Sequence, residues 1–201
     1  MYRNFLKRIF DIIISIAFLP IFILLAIPIA IFIKLESKGP VFFKQKRAGK
    51  NGTYFEILKF RSMSSSPDDE KKEFEPGEKK RITKVGAILR KTKLDEIPQI
   101  INVIKGEMSI VGPRPEVKKY VDVYPEEWEK ILSIKPGITD PASVKFRNEE
   151  ELLSKSSDPE REYKENILPK KLKLYEEYIS NITFINDLKI IFKTIFTVFF
   201  K

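Results

Sequence analysis

The chain divides sharply by polarity: Ile9 to Ile33 is almost continuously apolar, broken only by Asp11, Ser15, Pro20 and Pro28. At about 1.5 Å per residue, a helix over this stretch would reach across a hydrocarbon core of about 30 Å. A signal peptide has a shorter apolar region and a small-residue cleavage site, and neither is present. Arg3, Lys7 and Arg8 precede the stretch, and Lys34, Lys38, Lys44, Lys46 and Arg47 follow it. Basic flanks on both sides place both ends in the cytoplasm. The favoured expectation is therefore a re-entrant hairpin turning near Pro20, with Pro28 adding a second bend. A plain single-pass anchor with a tolerated proline is the alternative.

Beyond Gly39-Pro40, the runs Val41 to Arg47 and Tyr54 to Phe60 flank a turn rich in Gly49, Asn51 and Gly52, which predicts a β-hairpin. Ser62 to Lys80 is polar and predicts a mobile loop. Ile82, Val85, Ile88 and Leu89 recur at helical spacing, so Thr83 to Lys91 reads as a short amphipathic helix. Leu94 to Lys105 reads as the next, with Asp95 as N-cap, Pro98 in its first turn and Gly106 as its stop. Further helices are expected at Val117 to Val123, Glu126 to Ser133, Glu149 to Lys155 and Asn166 to Ile179, with a short strand around Ser143 to Lys145. Trp128 reads as core or as membrane-interface packing. From Phe184 to Phe196 aromatic and aliphatic residues repeat at spacings of three and four beside Lys189 and Lys193, a pattern that suits a membrane surface or a core or oligomer contact.

With 201 residues the chain can bury one sizeable core. Its formal net charge of +9 implies an anionic partner, whether nucleic acid, acidic membrane or phosphorylated small molecule. Histidine and cysteine are both absent, which excludes a Ser-His-Asp triad, thiolate chemistry and an ordinary zinc site. Any covalent nucleophile must come from Asp, Glu, Ser, Thr, Tyr or Lys. Any metal needs oxygen ligands, which points to Mg²⁺ or Mn²⁺.

One segment concentrates chemistry. Asp95 and Glu96 lie at an expected helix start, behind Arg90, Lys91 and Lys93 and ahead of the stiff Gly112-Pro113-Arg114-Pro115 turn. A carboxylate at a helix N-terminus is held ionised by free N–H groups and the helix dipole. Together the two acids could hold Mg²⁺, which would let a diphosphate approach. Arg114, restrained by prolines, suits a phosphate or carboxylate. Lys59 and Arg61 leave the hairpin where they could meet a phosphate or remain solvated.

These residues resemble the small monotopic phosphoglycosyl transferases, also called bacterial sugar transferases or undecaprenyl-phosphate sugar phosphotransferases. The resemblance covers nearly the whole chain. It rests on Lys7-Arg8-Ile9-Phe10-Asp11, Gly39-Pro40-Val41-Phe42-Phe43-Lys44-Gln45, Lys59-Phe60-Arg61-Ser62-Met63, Leu94-Asp95-Glu96-Ile97-Pro98-Gln99, Asn102 to Ser109, Val111-Gly112-Pro113-Arg114-Pro115 and Lys135-Pro136-Gly137-Ile138-Thr139. It implies a mainly α fold with a small β-hairpin: a membrane helix-break-helix over residues 1–36, broken at Leu19-Pro20, then a compact cytosolic catalytic domain over residues 37–201 with amphipathic interfacial helices. It also implies that Asp95 attacks the β-phosphorus of a UDP-sugar, expelling UMP, and that polyprenyl phosphate then takes the phosphosugar. Glu96 is implied as the acidic partner associated with Mg²⁺, Arg90 and Arg147 as phosphate holders, and Arg114 as part of a Pro-Arg-Pro element near the site.

The resemblance places the chain at the cytoplasmic face of a bacterial inner membrane, with a UDP-sugar and polyprenyl phosphate as partners and no nucleic acid. Homo-oligomer formation stays open. Many relatives continue the Pro-Gly-Ile-Thr motif with Gly-Trp-Ala-Gln-Val-Asn-Gly-Arg-Asn, where this chain reads Asp140-Pro141-Ala142-Ser143-Val144-Lys145-Phe146-Arg147-Asn148, with a changed middle while Arg147 and Asn148 survive. Large members carry an N-terminal multi-span region, so this chain is expected to be the minimal catalytic form. A noncatalytic basic module for anionic lipid or nucleic acid is the rival reading.

Overall fold

Residues 2–64 and 81–200 are described by a computed structural model of the chain. Most of the expected Ser62 to Lys80 loop lies outside the described residues. A helical turn at Tyr2–Leu6 leads into α1, Lys7–Glu36, the one helix among the described residues long and apolar enough to cross a membrane. It runs unbroken through Pro20 and Pro28, so the expected interruption at Leu19-Pro20 is not seen. A proline removes one backbone hydrogen bond, and here packing along the whole helix compensates. Lys7, Asp11, Ser15, Phe22 and Ile33 are buried along one stripe, with Phe18, Leu19, Ala26 and Ile29 half-buried beside it. Those spacings return to one helical face. Ile13, Leu24, Ile27, Phe32 and Leu35 project outward from the rest of the helix.

Both ends of α1 are tied to the same body. Near its start, Arg8 donates to the carbonyls of Val103 at 2.6 Å and Ile104 at 3.0 Å, and Asp11 accepts from Ser109 Oγ at 3.0 Å and the Ile110 N–H at 2.9 Å. At its end, Glu36 accepts from the N–H groups of Lys84 at 2.6 Å and Val85 at 2.9 Å. Arg61 donates to the Ser37 carbonyl at 2.8 Å and to that of Lys38, filling acceptors that a helix end leaves open.

The predicted hairpin forms from β1, Phe42–Ala48, and β2, Tyr54–Phe60, antiparallel with Lys44 opposite Leu58. Ile57 and Phe60, from the two faces of β2, both enter the first core with Phe22 and Ile33 of α1. Helix α2, Lys84–Thr92, starts at Thr83, and α3, Gln99–Lys105, stops at Gly106, whose φ of 87° suits glycine. Two short strands, β3 at Ser109–Val111 and β4 at Gly137–Thr139, pair in parallel. They approach so closely that a Cβ on Gly137 would lie 2.1 Å from the Gly112 nitrogen.

Small helices α4, Lys118–Val121, α5, Pro125–Ile131, and α6, Pro141–Lys145, precede α7, Glu149–Lys155, α8, Pro159–Glu162, α9, Leu168–Ser180, and α10, Phe184–Phe200. A second core of Tyr120, Trp128, Ile131, Tyr163, Leu168, Leu172 and Tyr175 joins them, which settles Trp128 as a core residue. The strand expected at Ser143 to Lys145 is instead part of α6. Asp140 caps that helix, accepting from the Ser143 N–H at 2.8 Å, and Pro141 begins it. On α10 the buried face carries Asp187 and Ile190, while Ile185, Phe192, Ile195 and Phe196 project outward.

Candidate active site

Helix α2 ends at Thr92, and Lys93 turns the chain with φ 58° and ψ 15°, a left-handed conformation uncommon outside glycine. A single 3₁₀ turn, Leu94–Glu96, then presents the two acids before α3 begins. Asp95 therefore does not cap a helix as expected. Its environment is set by burial instead: the residue is 8% exposed. Burial, followed by the Glu96 charge, pushes the Asp95 carboxyl up to about 6, against the pull of Lys59, Lys93 and Arg90. The expected helix-dipole support is absent, and the Asp95 carboxyl, raised to about 6, is still ionised near neutral pH.

Glu96 has the opposite character. Its Oε1 accepts from Lys59 Nζ at 2.7 Å and from Arg114 Nη2, and its Oε2 from Arg114 Nη1 at 3.2 Å. Burial disfavours its charge, but Arg114 and Lys59 outweigh that and hold it well below the usual carboxylate range. The Glu96 carboxylate in turn lifts Arg114 well above its ordinary value. Burial dominates at Lys59 and lowers it in spite of Glu96. Adjacent acids thus divide into one whose charge is held to lower pH and one whose charge is resisted. Asp95 Oδ1 is buried with no hydrogen-bond partner, an orphan that a native site keeps when something else is to occupy it.

The expected phosphate residues are distributed unevenly. Lys59 and Arg114 meet at Glu96, and Arg90 lies near enough to Asp95 for its charge to act there. Arg61 donates to the carbonyls of Ser37 and Lys38 at the end of α1. Arg147 follows α6, and its Nη1 is buried without a hydrogen-bond partner. No hydrogen bond or ion pair among the described residues joins Arg147 to either acid.

Lys93 belongs to the expected basic cluster, whereas Arg47, Glu116 and Gln99 carry no expected role at the site. Lys93 acts electrostatically on both acids; its signal is the turn between two amphipathic helices. Arg47 pairs with Glu116 at 2.8 Å, and Tyr163 donates to Glu116 at 2.7 Å, building a second buried cluster close enough to Arg114 for the two guanidiniums to repel. Residues 69 apart carry no local sign of such a pair. Gln99, just after the acids, is 1% exposed.

A metal between these acids would find a small donor set. Among the described residues no group of three acidic ligands exists. The unpartnered Asp95 Oδ1 beside Glu96 nevertheless suits Mg²⁺, which one or two carboxylates plus substrate phosphates usually hold.

A family model described as bacterial sugar transferase matches residues 2–201. The chain belongs to that family. Among relatives of this sugar transferase, a UDP-N-acetylgalactosamine-undecaprenyl-phosphate N-acetylgalactosaminephosphotransferase of Aeromonas hydrophila is 36% identical over 199 residues, 96% of this chain and 44% of that protein. A UDP-glucose:undecaprenyl-phosphate glucose-1-phosphate transferase of Escherichia coli (strain K12) is 37% identical, covering 96% of this chain and 40% of its own. An uncharacterized sugar transferase, EpsL, of Bacillus subtilis (strain 168) is 37% identical, covering 94% and 85%. The chain therefore spans less than half of the Aeromonas and Escherichia relatives and most of the Bacillus one.

Proposed function

We propose that this sugar transferase moves a sugar 1-phosphate from a UDP-sugar to polyprenyl phosphate at the cytoplasmic face of a bacterial inner membrane. The observation that carries the proposal is the buried, unpartnered Asp95 oxygen beside a Glu96 already neutralised by Lys59 and Arg114. Two relatives are named for transfer onto undecaprenyl phosphate, which supports the same class of acceptor here.

In the first half-reaction an Asp95 oxygen attacks the β-phosphorus of the UDP-sugar. The bond from that phosphorus to the bridging oxygen breaks, and UMP leaves with the electron pair. In the second, a polyprenyl phosphate oxygen attacks the same phosphorus and breaks the bond to Asp95, restoring the carboxylate. Splitting the transfer lets one soluble and one lipid substrate use the site in turn. Lys59, Lys93, Arg90 and Arg114 supply the positive field in which the phosphates sit. Bound Mg²⁺, held at Asp95 and Glu96, would offset diphosphate charge.

Residues 1–36 form the membrane element in this proposal, and residues 37–201 the catalytic domain. Support for entry and exit on one face comes from the bonds at both ends of α1 to the same body, since a spanning helix would separate them. Pro20 then lies within a continuous helix. The outward apolar faces of α1 and α10 suit contact with lipid.

The test is UMP release across a panel of UDP-sugars, with Asp95→Asn as control. The proposal expects release by the wild type and none by the variant. Equal release by both would refute it.

A further inference from the structure

We infer that Gln99 is a phosphate-binding residue of this site, its side-chain amide donating to a phosphoryl oxygen of the group transferred at Asp95. The inference rests on the function proposed above and assigns that site a further contact. Gln99 is 1% exposed, its Nε2 is buried, and its side chain makes no hydrogen bond among the described residues. Asp95, four residues earlier, buries an acceptor that is equally unpartnered. Ile97 and Pro98 keep helical dihedrals between them. Asp95 and Gln99 thus stand on successive turns of one helical path.

Burial in α3 does not by itself orphan an amide. Asn102, three residues beyond Gln99, is equally buried yet fully used: it donates to the Glu56 carbonyl at 2.8 Å and to Glu107 at 2.7 Å, and accepts from the Leu58 N–H at 3.0 Å. That is the pattern of a structural amide. Gln99 has none of it. An unmade hydrogen bond in a buried site is unfavourable, so a donor and an acceptor left open side by side mark where a ligand completes the bonding. Gln99 also does not hold Asp95, whose Oδ1 remains unpartnered in spite of the donor one turn away. A phosphoryl group seated at Asp95 carries acceptor oxygens that a neutral amide can bind without adding charge.

The experiment compares Gln99→Met with wild type, using the UDP-sugar that the wild type turns over, and reads thermal unfolding and UMP release. Expected are an unfolding midpoint equal to or above wild type without substrate, a smaller rise on adding the UDP-sugar, and a 10- to 100-fold loss in kcat/KM. A conservative Gln99→Glu variant should move the acid limb of UMP release to higher pH, because it sets a second carboxyl beside Asp95. It also serves if the methionine variant fails to fold. Unchanged turnover and an unchanged substrate-induced shift in Gln99→Met would overturn the inference, as would a loss of activity matched by a lower midpoint and restored by cooling. Asp95→Asn, measured alongside, reports separately on the covalent reading: its failure shows as retained UMP release, whereas failure at Gln99 shows as unaltered substrate-induced stabilisation.

Discussion

Replacing Glu96 by Gln keeps the side-chain volume and removes the charge that stands beside Asp95. Two carboxylates roughly 6 Å apart at an effective dielectric constant of about 20 repel by about 3 kcal/mol, or about 2 pH units. Glu96 is the second cause of the upward push on Asp95, after burial, while Lys59, Lys93 and Arg90 pull the other way. With Glu96 neutral those cations are opposed by burial alone, so the Asp95 midpoint should fall below about 6. A carbon-13 titration of the labelled Asp carboxyls reads this directly, without needing turnover. The same substitution strips a buried charge from Lys59 and Arg114, and removing one partner of a buried pair costs about 3–5 kcal/mol. The sign follows from linkage: Glu96 is held below its ordinary value, so its contribution is present above about pH 4.5 and is lost as pH falls through the depressed value. Urea unfolding of Glu96→Gln should therefore lie well below wild type at pH 7 and approach it in acid. An Asp95 midpoint that stays near 6 or rises would refute this division of roles.

Asp95 behaves in the opposite sense. Its raised value means that the folded state is favoured below about pH 4 and loses stability as pH rises through about 6, so Asp95→Asn should gain up to about 3 kcal/mol at pH 7 in chemical unfolding. Wild-type UMP release, which needs the ionised carboxylate, should drop about tenfold per pH unit below about 6 in a kcat/KM profile. Arg61→Met should cost about 2–4 kcal/mol by freeing carbonyls at the end of α1, yet leave kcat near wild type in an assay run below the unfolding temperature. Cysteines introduced singly as Tyr2→Cys and Lys38→Cys in this cysteine-free chain should both be labelled from the same side of sealed vesicles, whereas a spanning α1 would give opposite sides.

Much of this was legible along the chain because it depends on near neighbours. The β1–β2 hairpin follows from its glycine-rich turn, α2 from the spacing of Val85, Ile88 and Leu89, and α7 from Glu149 to Lys155. Asp140-Pro141 is equally legible as a helix cap and first residue, which is what forms in place of the expected strand. Other features depend on partners far away in sequence. Nothing local to Arg61 distinguishes a guanidinium facing phosphate from one closing the end of a helix 23 residues earlier. The character of Asp95 likewise could not be read from its helix position, because burial and Glu96 outweigh any dipole. The α10 repeat reads as a stripe along the chain, but the buried pair of Asp187 with Lys7 at 2.5 Å joins residues 180 apart and leaves no local sign of which face turns inward.

The central claim is that Asp95 carries the sugar phosphate between two half-reactions. The most direct measurement is intact-protein mass spectrometry of the chain mixed with a turned-over UDP-sugar, without polyprenyl phosphate, and quenched rapidly. The account predicts a mass gain of one sugar phosphate, located at Asp95 by peptide mapping, lost on adding polyprenyl phosphate and absent from Asp95→Asn. UMP release that requires polyprenyl phosphate from the outset, with no adduct at any time, would contradict it.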